Sequence, residues 1–213
     1  MSRPTLQIAL DHNHLEHALA DVIKVGKIVD IIEIGTILCL QEGWKAISCI
    51  RSMFPEKTIV ADTKCADAGG TVARNVAKAG ADFMTVICCA TIPTMEAAQK
   101  EVKELQVELY GDWTYQQATE WRQIGIKQVI YHQSRDALFS GETWSEKDLS
   151  KVKTLIEMGF DVSVTGGLTI STLQLFSGID VSNFIAGRGI SDTTDPVKAA
   201  NDFKKEIIRI WGE

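Results

Sequence analysis

Short apolar runs rich in β-branched residues alternate along this chain with longer segments that carry apolar residues at helical spacing. Runs of the first kind are typical of strands buried on both faces, and segments of the second kind are typical of amphipathic helices. Strands are predicted at residues 6–10, 31–34, 58–62, 83–86, 105–109, 128–131, 161–164 and 183–186. Helices are predicted at residues 14–26, 41–53, 69–79, 93–103, 114–123, 146–158, 169–175 and 196–211.

Strands that alternate with helices of this length imply parallel pairing through right-handed crossovers. About eight such units favour a closed (β/α)8 barrel, the TIM barrel of the α/β class, over an open doubly wound sheet. An open sheet would be expected to show a G-x-G-x-x-G turn after its first strand, whereas here that strand runs into Asp11-His12-Asn13. Because no linker or low-complexity segment divides the chain, we predict one domain over residues 1–213.

The composition is that of a globular protein, with 45% hydrophobic and 23% charged residues. A net charge of −6 predicts no nucleic-acid partner and no acidic membrane surface. No apolar run approaches the roughly 20 residues that span a bilayer, and no secretory-signal pattern follows Met1. The five cysteines lack zinc-like spacing, so we expect reduced thiols and a cytoplasmic location.

Polar residues are concentrated where the predicted strands end. In a barrel of this kind the active groups collect at the carboxyl ends of the strands, so this distribution indicates an enzyme. The residues are Asp11, Glu33, Asp62 with Lys64, Glu108, His132 with Arg135, Thr165-Gly166-Gly167 and Gly187-Arg188-Gly189.

Three charges, Asp62, Lys64 and Asp67, lie within six residues directly after an apolar run. In a strand Asp62 and Lys64 would point to the same face, and Asp67 would lie beyond the strand, before a pair of glycines. A structural ion pair is the alternative interpretation. Packing alone does not explain three alternating charges at a strand end, so we interpret them as candidate functional groups.

Two glycine-rich turns, after the seventh and eighth predicted strands, indicate a phosphate site. Backbone N–H groups of such turns can bind phosphate, barrel phosphate sites often use these two loops, and Arg188 adds a cation that can bind it in bidentate fashion. Tight turns without a ligand are the alternative.

Glu33 and Asp62 are carboxylates at the ends of neighbouring predicted strands. Oxygen ligands of this kind suit Mg²⁺, which keeps several waters and takes one or two protein carboxylates. The alternative is that Glu33 only pairs with Lys64.

Several motifs together resemble the orotidine 5′-phosphate decarboxylase superfamily, and within it the 3-keto-L-gulonate 6-phosphate decarboxylase branch, over essentially the whole chain. The D-x-K-x-x-D motif marks the superfamily, and H-x-x-R-D after the sixth strand marks the branch. The related hexulose-6-phosphate synthase branch typically lacks that arginine, so Arg135 discriminates between the two. The motifs are Ala9-Leu10-Asp11, Ile32-Glu33-Ile34-Gly35-Thr36, Asp62-Thr63-Lys64-Cys65-Ala66-Asp67, His132-Gln133-Ser134-Arg135-Asp136, Thr165-Gly166-Gly167 and Ala186-Gly187-Arg188.

The resemblance implies a carboxy-lyase: a Mg²⁺-dependent decarboxylation of 3-keto-L-gulonate 6-phosphate to L-xylulose 5-phosphate and CO₂, in L-ascorbate breakdown. It implies that Glu33 and Asp62 hold Mg²⁺ and that Asp11 binds a substrate hydroxyl. Lys64 would stabilise an enediolate intermediate. Asp67 would reach in from the partner subunit of a homodimer with shared active sites.

The remaining roles implied by the resemblance concern the two ends of the substrate. His132 and Arg135 would lie near the carbon that must be protonated, with Glu108 orienting that end. The phosphate would be bound by Gly167, Gly187 and Arg188.

Two other functions stay open from the sequence. A hexulose-6-phosphate synthase would reach a similar enediolate by an aldolase reaction with formaldehyde. A non-catalytic sugar-phosphate sensor would need the phosphate loops but would have no need of the charged Asp62-x-Lys64 array.

Overall fold

Eight parallel strands close into a barrel in which each strand pairs with the next in sequence and the last pairs with the first. The computed structural model describes residues 2–212. The predicted (β/α)8 barrel is therefore confirmed. The strands are β1 (Thr5–Leu10), β2 (Ile31–Ile34), β3 (Thr58–Cys65), β4 (Phe83–Ile87), β5 (Glu104–Leu109), β6 (Gln128–His132), β7 (Asp161–Thr165) and β8 (Asn183–Ala186).

Helices surround the barrel, and several of them differ from the prediction. The predicted helix 41–53 is two helices, because Gly43 has φ +59° and ends the first before the second begins. The short helices α7, after β6, and α10, after β8, were not predicted. The helices are α1 (Leu15–Val25), α2 (Thr36–Glu42), α3 (Trp44–Met53), α4 (Gly69–Ala79), α5 (Ile92–Gln99), α6 (Tyr115–Gln123), α7 (Arg135–Phe139), α8 (Glu146–Glu157), α9 (Ile170–Leu173), α10 (Arg188–Ser191) and α11 (Pro196–Trp211).

Side chains of β1 show how the strands divide the core. Leu6, Ile8 and Leu10 are fully buried in the large apolar core, as expected for the strand face that the helices cover. Ala9 belongs instead to a small cluster with Ile130 and Ile185 of other strands, on the face toward the barrel axis. Burying a leucine or isoleucine side chain contributes about 1.5–3 kcal/mol. The layer between the strands and the helices therefore supplies most of the driving force for folding.

The third strand is longer than predicted and carries an irregularity. Its ladder with β4 pairs Ala61 with Met84 and then Cys65 with Val86, so three residues of β3 lie opposite the single residue Thr85. Lys64, within this bulge, has φ +44°, a left-handed conformation that is uncommon for residues other than glycine. The bulge therefore lies at the Asp62-x-Lys64 motif.

None of the helices in the described part of the chain combines the length and apolarity that a bilayer crossing needs.

Candidate active site

A cavity of about 520 Å³ opens at the carboxyl ends of the strands. All but one of the residues predicted for the site line it, and Asp67 is the exception, being exposed and outside the cavity. The side chains that the strand-end argument selected therefore lie around one cavity, whereas Asp67 lies outside it. The predicted residues that line the cavity are Asp11, Glu33, Asp62, Lys64, Glu108, His132, Arg135, Gly167, Gly187 and Arg188.

The Lys64 ammonium lies between two buried carboxylates. Its Nζ is 2.6 Å from Asp62 Oδ2 and 2.9 Å from Glu108 Oε2, and it donates a hydrogen bond to Thr36 Oγ1 at 2.7 Å. Burial alone would lower the pKa of Lys64, but the two carboxylates outweigh it and raise that pKa. The Lys64 side chain therefore stays protonated, and these contacts hold its ammonium in place.

Both oxygens of Asp62 are held by threonine hydroxyls from neighbouring segments. Thr36 donates to Oδ2 at 2.5 Å, and Thr85 of β4 donates to Oδ1 at 2.7 Å. Although burial opposes ionisation, Lys64 and these hydroxyls lower the pKa of Asp62 below its usual value. The carboxylate is therefore ionised and held in one orientation.

Glu33 does not form an ion pair with Lys64; its carboxylate accepts a hydrogen bond from the Gln7 side-chain amide. Gln7 in turn accepts a hydrogen bond from Asn183 Nδ2 at 2.9 Å, so buried amides support Glu33 from the barrel interior. Burial, followed by the charges of Asp62 and Asp11, raises the pKa of Glu33 well above its usual value. The negative charge on this side of the cavity would be relieved by a bound cation.

In the part of the chain that the structure describes, no group of three or more histidine, cysteine or acidic side chains is arranged to hold a metal on its own. Glu33 and Asp62 nevertheless line the same cavity. A Mg²⁺ ion commonly takes only one or two protein carboxylates and completes its shell with water and substrate oxygens. This pair of carboxylates fits that coordination.

The His132 ring lies within hydrogen-bond distance of Glu108 and of a tyrosine, Tyr110, that was not predicted as a site residue. Its Nδ1 is 2.6 Å from Glu108 Oε1 and 2.7 Å from the Tyr110 hydroxyl, and the two rings lie 4.6 Å apart. Burial raises the pKa of Glu108, with the Asp62 charge as a second cause, and it also raises that of Tyr110. The phenol therefore keeps its proton and lies within hydrogen-bond distance of the imidazole.

Of the two loops predicted to bind phosphate, the one after β7 has two glycines in the left-handed region of backbone conformation. Gly166 and Gly167 have φ +101° and +62°, and a Cβ on Gly166 would lie 2.2 Å from the Gln133 carbonyl oxygen. Arg188 begins α10 at the edge of the cavity, with its guanidinium 4.9 Å from the Phe139 ring centre. A turn with exposed N–H groups and a nearby arginine can bind a phosphate dianion.

Two further contacts of the site went unpredicted. Thr85 lies inside an apolar strand, and nothing in the sequence around it distinguishes it from a core residue. Tyr110 follows the end of β5, two residues after Glu108, and its position at a strand end was an available signal.

Comparison with known proteins gives consistent matches over the full chain. A model of the family described as orotidine 5′-phosphate decarboxylase / HUMPS matches residues 4–203. The 3-keto-L-gulonate-6-phosphate decarboxylase SgbH of Escherichia coli K12 is 48% identical, covering 100% of this chain and 98% of the relative. A crystal structure of KGPDC from Streptococcus mutans, solved as a ligand complex, has a TM-score of 0.98 and 61% identity, covering 99% of this chain and 100% of that one. A Salmonella typhimurium 3-hexulose-6-phosphate synthase has a TM-score of 0.89 and 25% identity, over 96% and 99%.

Proposed function

Because the chain belongs to the orotidine 5′-phosphate decarboxylase / HUMPS family, we propose that it decarboxylates 3-keto-L-gulonate 6-phosphate to L-xylulose 5-phosphate and CO₂. Relatives named for this activity align over the whole chain. The observation that supports it most is that one cavity holds the Asp62–Lys64–Glu108 ion pairs beside His132 and Arg135. The synthase alternative receives less support, because Arg135, which that branch typically lacks, points across the cavity mouth to Asp11.

Substrate binding uses the two glycine-rich loops and the neighbouring end of β1. The loops at Gly167 and Gly187, with Arg188, would bind the phosphate, because they offer backbone N–H groups and a guanidinium. Asp11 directly follows β1, which pairs with β8, and would accept a hydrogen bond from a substrate hydroxyl near these loops. A substrate held through its phosphate and this hydroxyl presents its β-keto acid to the charged centre of the cavity.

Decarboxylation breaks the bond between the carboxylate carbon and its neighbour, and the electron pair moves toward the ketone oxygen to form an enediolate. The Lys64 ammonium stabilises that developing negative charge. Because Asp62 and Glu108 already hold this ammonium in place, no reorganisation is required as the charge develops. Interactions that strengthen only as charge develops lower the barrier of the chemical step.

Protonation of the resulting carbon completes the reaction. His132, held by Glu108 and Tyr110, supplies the proton directly or through water, and Arg135 lies at the same end of the cavity. The hydrogen bond to Glu108 orients the imidazole, as general acid–base catalysis requires.

The proposal includes Mg²⁺ held by Glu33 and Asp62. Mg²⁺ held by these carboxylates would supply Lewis-acid stabilisation of the negative charge that develops on the substrate. The support is that these two carboxylates line one cavity and that Glu33 lacks a cationic side-chain partner among the described residues.

The proposal also includes a homodimer, a cytoplasmic location and a place in L-ascorbate breakdown. Asp67 is exposed and lies outside the cavity of its own chain. That position is compatible with a role in the partner subunit's cavity.

The function is tested by incubating the purified protein with Mg²⁺ and either 3-keto-L-gulonate 6-phosphate or the pair formaldehyde and ribulose 5-phosphate. We expect CO₂ release from the first, and activity confined to formaldehyde condensation would overturn the proposal. Lys64→Ala should abolish turnover while binding of a phosphorylated ligand survives. A wild type that binds such a ligand without turnover would instead indicate a sensor.

A further inference from the structure

The bulge in β3 determines the direction in which the Lys64 side chain enters the cavity. Between the pairs Ala61–Met84 and Cys65–Val86, the regular backbone ladder between β3 and β4 is interrupted. In this interval Lys64 adopts φ +44°. A residue other than glycine stays in this strained conformation only where surrounding contacts hold it.

The contacts that bridge the interruption converge on Thr85. Its hydroxyl accepts a hydrogen bond from the Lys64 backbone N–H at 2.9 Å and donates one to Asp62 Oδ1 at 2.7 Å. Its backbone carbonyl accepts a hydrogen bond from Thr63 Oγ1 at 2.8 Å. All three bulged residues are therefore bonded to one threonine.

The Thr85 side chain is almost fully buried, with 1% of its surface exposed. No water can therefore replace its hydroxyl without rearrangement. Loss of the hydroxyl would leave the Lys64 N–H without a partner and Asp62 with one bond fewer. A buried donor without a partner is costly, so the bulge would relax toward a conformation that satisfies it. The Lys64 side chain would move with its backbone.

We propose that Thr85 is a positioning residue: its hydroxyl holds the β3 bulge in the conformation that places the Lys64 ammonium between Asp62 and Glu108. This inference rests on the proposed function for its kinetic consequence, and on the geometry alone for its structural one. Thr85 does not line the cavity and so has no contact with substrate.

The test compares substitutions that separate the hydroxyl from the rest of the side chain. Thr85→Val keeps the shape and removes the hydroxyl, whereas Thr85→Ser keeps the hydroxyl. We expect Thr85→Val to lower kcat by about 10–100-fold, the effect of a displacement near 1 Å in the catalytic group, with KM within about threefold. Thr85→Ser should restore kcat to within about threefold of wild type.

Thr154→Val is the control. Thr154 lies in α8, outside the cavity, where its hydroxyl donates to the Ser150 carbonyl oxygen at 3.0 Å. This substitution also removes a threonine hydroxyl without changing shape, and kcat should stay at the wild-type value. Equal losses in Thr85→Val and Thr85→Ser, or a kcat for Thr85→Val within about twofold of wild type, would overturn the proposal.

Two further measurements keep the result decisive. If Thr85→Val does not fold, Thr85→Ala and Thr85→Ser form a second pair, since both lack the methyl group and only the hydroxyl differs. A crystal structure of the folded hydroxyl-less variant should show Lys64 Nζ displaced from Asp62 and Glu108. An unchanged Lys64 would refute the positioning role, whereas a wild type without decarboxylase activity would refute only the proposed function.

Discussion

Arg135 and Asp11 are separated by 124 residues in sequence and form an ion pair at the cavity, with Arg135 Nη2 2.8 Å from Asp11 Oδ2. Arg135 begins α7 and Asp11 directly follows β1. Both side chains remain partly exposed, at 42% and 28%. Pairs this exposed contribute only about 0.2–1 kcal/mol, so a substrate oxygen can replace either partner at little cost. The pair is therefore better suited to binding substrate than to stabilising the fold.

Arg135→Gln should lower the activity of the protein much more than its stability. The free energy of unfolding should fall by less than about 1 kcal/mol, whereas kcat for decarboxylation should fall by about 10–100-fold. Urea unfolding and steady-state kinetics measure the two effects. Arg209→Gln is the control, because it removes an exposed pair with Glu206 and should leave kcat unchanged. A fully active Arg135→Gln enzyme would remove this arginine from the mechanism.

Arg188→Met should weaken binding of the substrate phosphate more than it slows the chemical step. The guanidinium lies at the phosphate loops and contacts a phosphate equally in the ground and transition states, so KM should rise by about 10–100-fold with little change in kcat. Competition by inorganic phosphate should weaken in parallel.

Arg122→Met provides a matched control for Arg188→Met. Arg122 also packs against an aromatic ring, that of Phe160 at 5.3 Å, but it does not line the cavity. Its substitution should leave KM unchanged. A kcat loss in Arg188→Met with KM unchanged would contradict a role in phosphate binding.

Asp82 is expected to make stability depend on pH. Although burial raises its pKa, hydrogen bonds from Lys103, the Ile59 backbone and Arg51 outweigh burial and lower the pKa in the folded state. Since the folded pKa is below the unfolded one, the stabilisation is complete above the unfolded pKa near 4. It is lost as pH falls through the folded pKa.

Asp82→Asn should therefore lower the free energy of unfolding by about 1–3 kcal/mol at pH 7. The difference from wild type should shrink as pH falls below about 4, where wild-type Asp82 becomes protonated. Urea unfolding across this pH range measures it. Asp202→Asn, which removes an exposed pair with Lys198, is the control and should change stability little. A difference that grows toward low pH would contradict the assignment.

The fold was predictable because the apolar runs and turn residues that define its strands and helices are local features of the sequence. The predicted strands 31–34 and 183–186 match β2 and β8 residue for residue, since their apolar runs are bounded by polar or turn residues. Helix 41–53 was wrong at Gly43, where positive φ interrupts the helical pattern. A glycine is tolerated within a helical pattern, so this break was not visible in sequence.

The site was predictable in its composition and less so in its geometry. Which side chains reach the cavity follows from strand ends alone, and this argument found Asp11, Glu33 and Glu108. The bulge that turns Lys64 depends on contacts with Thr85 across the sheet, 21 residues later, and such contacts leave no local pattern. The sequence also pointed to an ion pair for Glu33 with Lys64 as an alternative, and the structure excludes it.

Asp67 provides the last prediction, because it lies outside the cavity of its own chain. If each site combines Lys64 of one subunit with Asp67 of the other, Lys64→Ala and Asp67→Ala proteins, each inactive alone, should regain activity when mixed. After subunit exchange about a quarter of wild-type activity is expected, because half of the dimers are mixed and each has one intact site of two. Activity is measured before and after exchange through mild denaturation. If both residues served the same chain's site, every mixed dimer would carry one defect in each site and no activity would return.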